Sequence, residues 1–302
     1  MKKIFSLLIV LSLVLSLCVC ACADGAVTVS DLNGREIRLD APAERIVALS
    51  PSDCEILFAL GAGECIVGRC ADADYPEQVR DIPALDSGAN LNLEQLISLK
   101  PQLVFMSDAI QTDEQVAAIE SFGIQVVFTD THTNNASLDG VYKAVELIGS
   151  LVGRDAQAQE LIASMKSSFD ALAPSEETEE KPNVYFEVSP LEWGLWSAGK
   201  GTFFDEICTL IGAENIFGDL TGWVEVSEEQ IISRDPDFIV TITMDYGGEG
   251  SAVAEILSRP GWENITAVKN GCVTDFQDNE LTRPAPRLAQ GAAMLHEFIF
   301  GE

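Results

Sequence analysis

Two stretches of this chain are copies of one another, and that limits the architectures open to it. Residues 94–104 (EQLISLKPQLV) align without a gap to residues 229–239 (EQIISRDPDFI), sharing Glu, Gln, Ile, Ser and Pro. Residues 60–68 (LGAGECIVG) resemble 211–218 (IGAENIFG) with one residue missing. The separation between copies is far longer than the period of a stacked solenoid, so the repeat implies two equivalent lobes.

Each copy sits in a strand–helix alternation. Residues 27–39 read as a hairpin with Asn33-Gly34 as its turn. An apolar strand then ends in Ser50-Pro51-Ser52, followed by a helix from Cys54 to a glycine-rich stop. Further strands at 65–69, 102–106 and 124–130 alternate with helices, one of them capped by Asn92 and stopped before Pro101. Such alternation predicts an α/β lobe with a mostly parallel sheet over residues 24–153. Residues 154–173 carry Leu161, Ile162, Met165, Phe169 and Leu172 at helical spacing, which predicts one long amphipathic helix of roughly 30 Å at about 1.5 Å per residue. An acidic connector over 174–182 leads to a second lobe, 183–302. The expected fold is α/β: two Rossmann-like lobes joined by one long helix, with a ligand cleft between them at the carboxyl ends of the strands.

Charge narrows the partners. Eighteen basic residues against 48 acidic ones give a net charge of −30, a surface that repels nucleic-acid and anionic-lipid phosphates. Residues 1–23 have a two-lysine start, an apolar run and a small-residue end, which reads as an export signal. Two ends are open: cleavage after Ala23, or lipoprotein processing before Cys22 with a lipid on that cysteine. Either places the chain outside the cytoplasm, in a periplasm or on the outer membrane face. Five cysteines remain in the body, Cys54, Cys65, Cys70, Cys208 and Cys272. An odd number does not pair fully, although Cys65 and Cys70 could close a small loop.

The residues of catalysis are scarce. There is no G-x-S-x-G turn, no phosphate-cradling glycine loop, and only two histidines, His132 and His296, so neither a triad hydrolase nor a metal carrier is indicated. Carboxylate pairs such as Asp72/Asp74 and Asp278/Glu280 are expected by chance in so acidic a chain. No cofactor or resident metal is expected. Trp193, Trp196 and Trp223 lie in polar or glycine-rich loop contexts, where rigid apolar surface can grip a flat or bulky ligand. Arg283, held between prolines in LTRPAPR, could present a fixed guanidinium to a carboxylate or phosphate, while Arg287 one turn later reads as structural.

From about Arg45 to the carboxyl terminus the chain resembles the extracytoplasmic solute-binding proteins of ABC importers for ferric siderophores, haem and vitamin B12. The resemblance is carried by RIVALSPS, the LGAG turn, DYP at 74–76, NLEQLISLKPQLVF, SAGKGTFFDEI, GWVEVSEEQIISRDPDFIV, RPGWENITAVKNG and NELTRPAPRL. It implies a monomeric binding protein, not an enzyme, that hands a small metal chelate or corrinoid to a permease dimer. It implies that Glu94 and Glu229, already the repeat-related pair, dock on that dimer. It also implies ligand contacts at Trp196, Trp223, Asn279 and Arg283. Where the vitamin B12 binders are aromatic this chain has Asp72, Gly88 and Ser107, so haem, a corrinoid with a smaller lower ligand, and a neutral or cationic hydroxamate complex all stay open. An exported α/β enzyme or a signalling receptor domain on the same fold is the alternative.

Overall fold

The apolar runs of the first half become five short strands: β3 (Ile46–Ala48), β4 (Ile66–Cys70), β5 (Ala84–Leu85), β6 (Leu103–Ser107) and β7 (Gln125–Asp130). They follow a hairpin of β1 (Val27–Ser30) and β2 (Glu36–Leu39), in a computed structural model that describes residues 25–107, 112–130, 137–175, 180–242, 251–276 and 279–301. The export signal with Cys22, His132 and Asp278 lie outside the described residues. The buried Asp31 carboxylate accepts the N–H groups of Asn33 and Arg35 in the hairpin turn and that of Phe128 on β7, which docks the hairpin onto the sheet.

The five strands form one parallel sheet in the order β5-β4-β3-β6-β7. Because successive side chains point to opposite faces, Ile46, Ala48, Leu103, Phe105 and Val127 pack on one side, while Val47, Leu49, Val104, Met106 and Val126 pack on the other. Both faces are covered by helices, as a parallel sheet requires. They include α1 (Pro51–Ala59), α2 (Leu93–Ser98), α3 (Asp113–Glu120) and α4 (Leu138–Leu151). The first helix starts three residues before its expected position. Ser50 caps it by accepting the N–H of Ser52, and Pro51 at the first turn loses no intrahelical bond, so the Ser-Pro-Ser stretch opens the helix.

The second half builds β8 (Asn183–Glu187), β10 (Glu214–Asn215), β12 (Phe238–Thr241) and β13 (Val273–Asp275) into a second parallel sheet in the order β10-β8-β12-β13. Setting aside the edge strand β5, this is the first lobe's order: second strand, first, third, fourth. Its helices are α6 (Phe203–Leu210), α7 (Glu228–Arg234), α8 (Ala252–Ser258), α9 (Thr266–Asn270) and α10 (Leu288–Phe300). Tyr185, Phe186, Phe204 and Phe217 are fully buried here, each contributing about 1.5–3 kcal/mol through burial. A buried ion pair adds to this core. Both Arg259 terminal nitrogens donate to Glu187, at 2.7 and 2.8 Å, and the guanidinium stacks over Trp262. Burial opposes the charge on Arg259, but the bonds to Glu187 and Glu255 hold its pKa above the ordinary range.

Between the lobes runs α5 (Asp155–Asp170), about 24 Å long at ~1.5 Å per residue. Its Ala158 and Ile162 belong to the first lobe's core, and its Met165 and Phe169 to the second's. Helix α4 lies against it and does the reverse: Leu138 and Val141 pack in the second core, Ala144 to Val152 in the first. Glu206 on α6 secures that far end by accepting the Leu138 N–H at 2.7 Å. Burial pushes the Glu206 carboxyl above the usual range, and this hydrogen bond works against the shift. The bridge is therefore flanked by a second helix whose first turn sits in the opposite lobe, a connection that residue spacing alone does not reveal. No helix among the described residues is long and apolar enough to cross a membrane.

None of the five body cysteines is paired. Burial raises the thiol pKa of Cys54 and Cys208, and pushes that of Cys70 up to about 12.

Candidate functional site

The carboxyl edges of the two sheets meet. Asp72 and Asp74 follow β4, and Asn279 to Arg283 follow β13. Asn279, in the left-handed region at φ 62°, starts a tight turn whose carbonyl accepts from the Thr282 and Arg283 N–H groups. That turn aims Arg283 across the seam. One of its terminal nitrogens donates to Glu55 Oε1 at 3.1 Å and to Asp74, and the other to the Asp72 carbonyl at 3.3 Å. Glu55, on α1, is 2% exposed at its side chain, and it also receives Arg287 through Nε at 2.9 Å and a terminal nitrogen at 2.7 Å. Arg287 further bonds Glu280 at 2.7 Å and lies 4.0 Å from the centre of the Tyr75 ring. Bonds to the buried Glu55 raise the Arg287 pKa above its ordinary range, against the cost of burial.

Arg283, expected to meet a ligand, is thus engaged by the first lobe, and Arg287 works beside it as the structural arginine of the same junction. Glu55 receives both, and the sequence does not single it out. Nothing local marks it, because its meaning lies in two arginines more than 200 positions away that the fold returns to α1.

On the second lobe's side, Trp196 and Trp223 come together. They do not lie in loops but on a two-stranded antiparallel ribbon, β9 (Trp196–Ala198) with β11 (Trp223–Glu225). Trp223 pairs with Ala198 and Trp196 with Glu225. Directly opposed residues share a face and alternate residues along a strand share it too, so the two indoles occupy one face as diagonal neighbours. Trp223 makes edge contacts with Phe203 and Phe204, at 6.2 and 5.8 Å between ring centres, which fixes it at the start of α6. Both indoles stay open to solvent, 38% exposed for Trp196 and 41% for Trp223. Trp193 lies on the neighbouring single turn, Leu191–Trp193. On the first lobe, Asp72 is exposed in the loop after β4, Gly88 opens a short turn, and Ser107 is buried at the end of β6.

A cavity of about 830 Å³ lies behind this seam, on the α5 side, and the Glu55–Arg287 pair forms part of its wall. Phe58, Tyr75, Leu161, Met165 and Ala293 line it; the tryptophans and Arg283 do not. The Glu55–Arg287 pair therefore borders this largely apolar cavity, and the tryptophan ribbon lies outside it. Among the described residues no cluster of His, Cys, Asp or Glu could hold a metal ion.

Glu94 and Glu229 lie one on each lobe, in equivalent settings. Asn92 caps α2 and Ser227 caps α7, each accepting the N–H of a glutamine three residues on, so both glutamates fall at the second helical position, exposed. The equivalence runs on to the helix ends. Lys100 at φ 51° and Asp235 at φ 43° both turn the chain through the left-handed region just before a proline.

A model of the periplasmic binding protein family matches residues 46–279. The chain belongs to that family. Among its relatives is the uncharacterized ABC transporter substrate-binding lipoprotein YvrC of Bacillus subtilis (strain 168), 33% identical over 91% of this chain and 85% of that protein. The vitamin B12-binding protein of Vibrio campbellii is 27% identical, covering 82% of this chain and 86% of its own length. A crystal structure of a possible iron-binding, periplasmic solute-binding protein from Staphylococcus epidermidis ATCC 12228 superposes with a TM-score of 0.73. It is 33% identical and covers 85% of this binding protein and 98% of its own chain. These relatives are named as binding proteins, and nothing in them favours the enzyme or receptor alternative.

Proposed function

We propose that this chain is the extracytoplasmic solute-binding component of an ABC importer, and that it captures an iron complex, haem or corrinoid between its lobes and delivers it to a permease dimer. The observation that carries the reading is the tryptophan face: two half-open indoles fixed on a ribbon at the carboxyl edge of one sheet, where an apolar macrocycle or chelate can stack. The names of its relatives, which include a vitamin B12-binding protein and a possible iron-binding protein, support that ligand range. Asp72 and Asn279 would contribute from the loops around the seam, and Ser107 from the end of β6. Glu94 and Glu229 would dock on the permease, since matched helix starts on two lobes offer matched charges to a twofold partner. The protein acts as a monomer in this scheme.

Tryptophan-fluorescence titration with haemin, cobalamin, cobinamide and ferric hydroxamates tests the reading. Saturable quenching by one class is expected, weakened at least about tenfold by Trp223→Ala, since an interfacial aromatic anchor carries on the order of 2 kcal/mol. The absence of saturable quenching by all of them would overturn it.

A further inference from the structure

The seam has more carboxylate than cation. Arg283 and Arg287 are matched there by Glu55, Asp74 and Glu280, and the exposed Asp72 adds a fourth acid. Three of the Arg283 contacts are already made to the first lobe. The second observation is an acceptor with no donor: Glu280 Oε2 is shielded from solvent and has no hydrogen-bond partner among the described residues, while its other oxygen holds Arg287. A seam built this way offers lone pairs and asks for N–H or O–H groups. An incoming carboxylate would have to displace Asp74 from Arg283 and then sit beside displaced Asp74, Asp72 and Glu280, a like-charge arrangement that costs affinity.

We infer that Asp74 and Glu280 are specificity-determining residues that make the cleft select ligands whose seam-facing edge carries neutral donors or positive charge, such as amide-bearing corrinoids, and reject carboxylate-bearing ones. This rests on the solute-binding reading above and narrows it. Asp74 is the discriminating element because it neutralises the one arginine a ligand carboxylate would otherwise claim. Its side chain is 40% exposed, so its replacement leaves the cores untouched.

Binding of matched pairs to the full chain tests the inference: cobinamide against cobyrinic acid, and haemin dimethyl ester against haemin, in wild type, Asp74→Asn and Glu280→Gln. Each pair keeps its macrocycle and changes the charge on its edge. For whichever macrocycle binds, the wild type should prefer the uncharged-edge member by about tenfold, one like-charge contact at 1.4 kcal/mol. In Asp74→Asn the side-chain amide oxygen can still accept from Arg283, so this variant should preserve the junction and reduce the preference to about threefold or less. Glu280→Gln should move it the same way by a smaller factor. A wild type that prefers the acid member, or a preference unchanged in both variants, would overturn the inference while leaving the solute-binding reading intact. Failure of every probe to bind wild type would remove that reading, and the inference with it.

Discussion

The two lobes share a strand order, a capped helix start carrying a glutamate, and a left-handed residue before a proline, yet they present unlike faces to the seam. The first lobe offers acids and short polar loops: Glu55, Asp72 and Asp74. The second adds an aromatic ribbon between β8 and α7 that has no counterpart among the described residues of the first, and it supplies both arginines. The frame of a duplicated unit is fixed by backbone requirements, which tolerate little change, while the loops at the strand ends are free to diverge. What was kept equal is the frame and its capped helix starts, and what diverged lies at the seam, as expected if the equal parts meet a symmetric partner and the unequal parts meet an asymmetric ligand.

The sharpest way to break this comparison is to reverse its equivalent charges. Glu94→Arg combined with Glu229→Arg should abolish uptake in a reconstituted importer and leave ligand affinity in solution unchanged. The single variants should each fall most of the way and by similar amounts. A single variant that transports normally would mean the two corners are not equivalent in use.

The cores offer a second contrast. Among the described residues only the second lobe buries an ion pair within its own core, and Glu187→Ala would strand Arg259, itself 4% exposed, without its main partner. The expected loss is about 3–5 kcal/mol in urea unfolding. A loss below about 1 kcal/mol would show that Glu255, which also bonds Arg259, suffices alone.

The smallest effect separates the two left-handed turns. Lys100→Gly removes backbone strain at an exposed site and should stabilise by up to about 1 kcal/mol. Asp235→Gly relieves the same strain but deletes hydrogen bonds to the Thr266 N–H at 2.7 Å and hydroxyl at 3.0 Å, so it should be neutral or destabilising. Equal gains in thermal unfolding would erase the distinction.

What could be read from the residues follows the range of the interactions. Helix caps, turns and the alternation of strands with helices depend on near neighbours, so the parallel lobes and the paired glutamates were legible. The ribbon was not, because a three-residue strand shows no periodicity, and so its tryptophans looked like loop residues. Glu55 was invisible for a different reason: it is an acid inside a mostly apolar helix, and only tertiary packing brings Arg283 and Arg287 to it. The placement of Leu138 in the far core belongs to the same class.

The unpaired cysteines have a consequence for how such a chain reaches its native state. In the folded protein the thiols of Cys54, Cys70 and Cys208 are buried and hold their protons, so little thiolate is available for exchange. An unfolded chain emerging into an oxidising compartment has no such shelter, and parallel sheets assemble slowly because their strands pair across long separations. Maturation is then a race between burial and oxidation, in which the sheets must close over the sulfurs before any two of them meet.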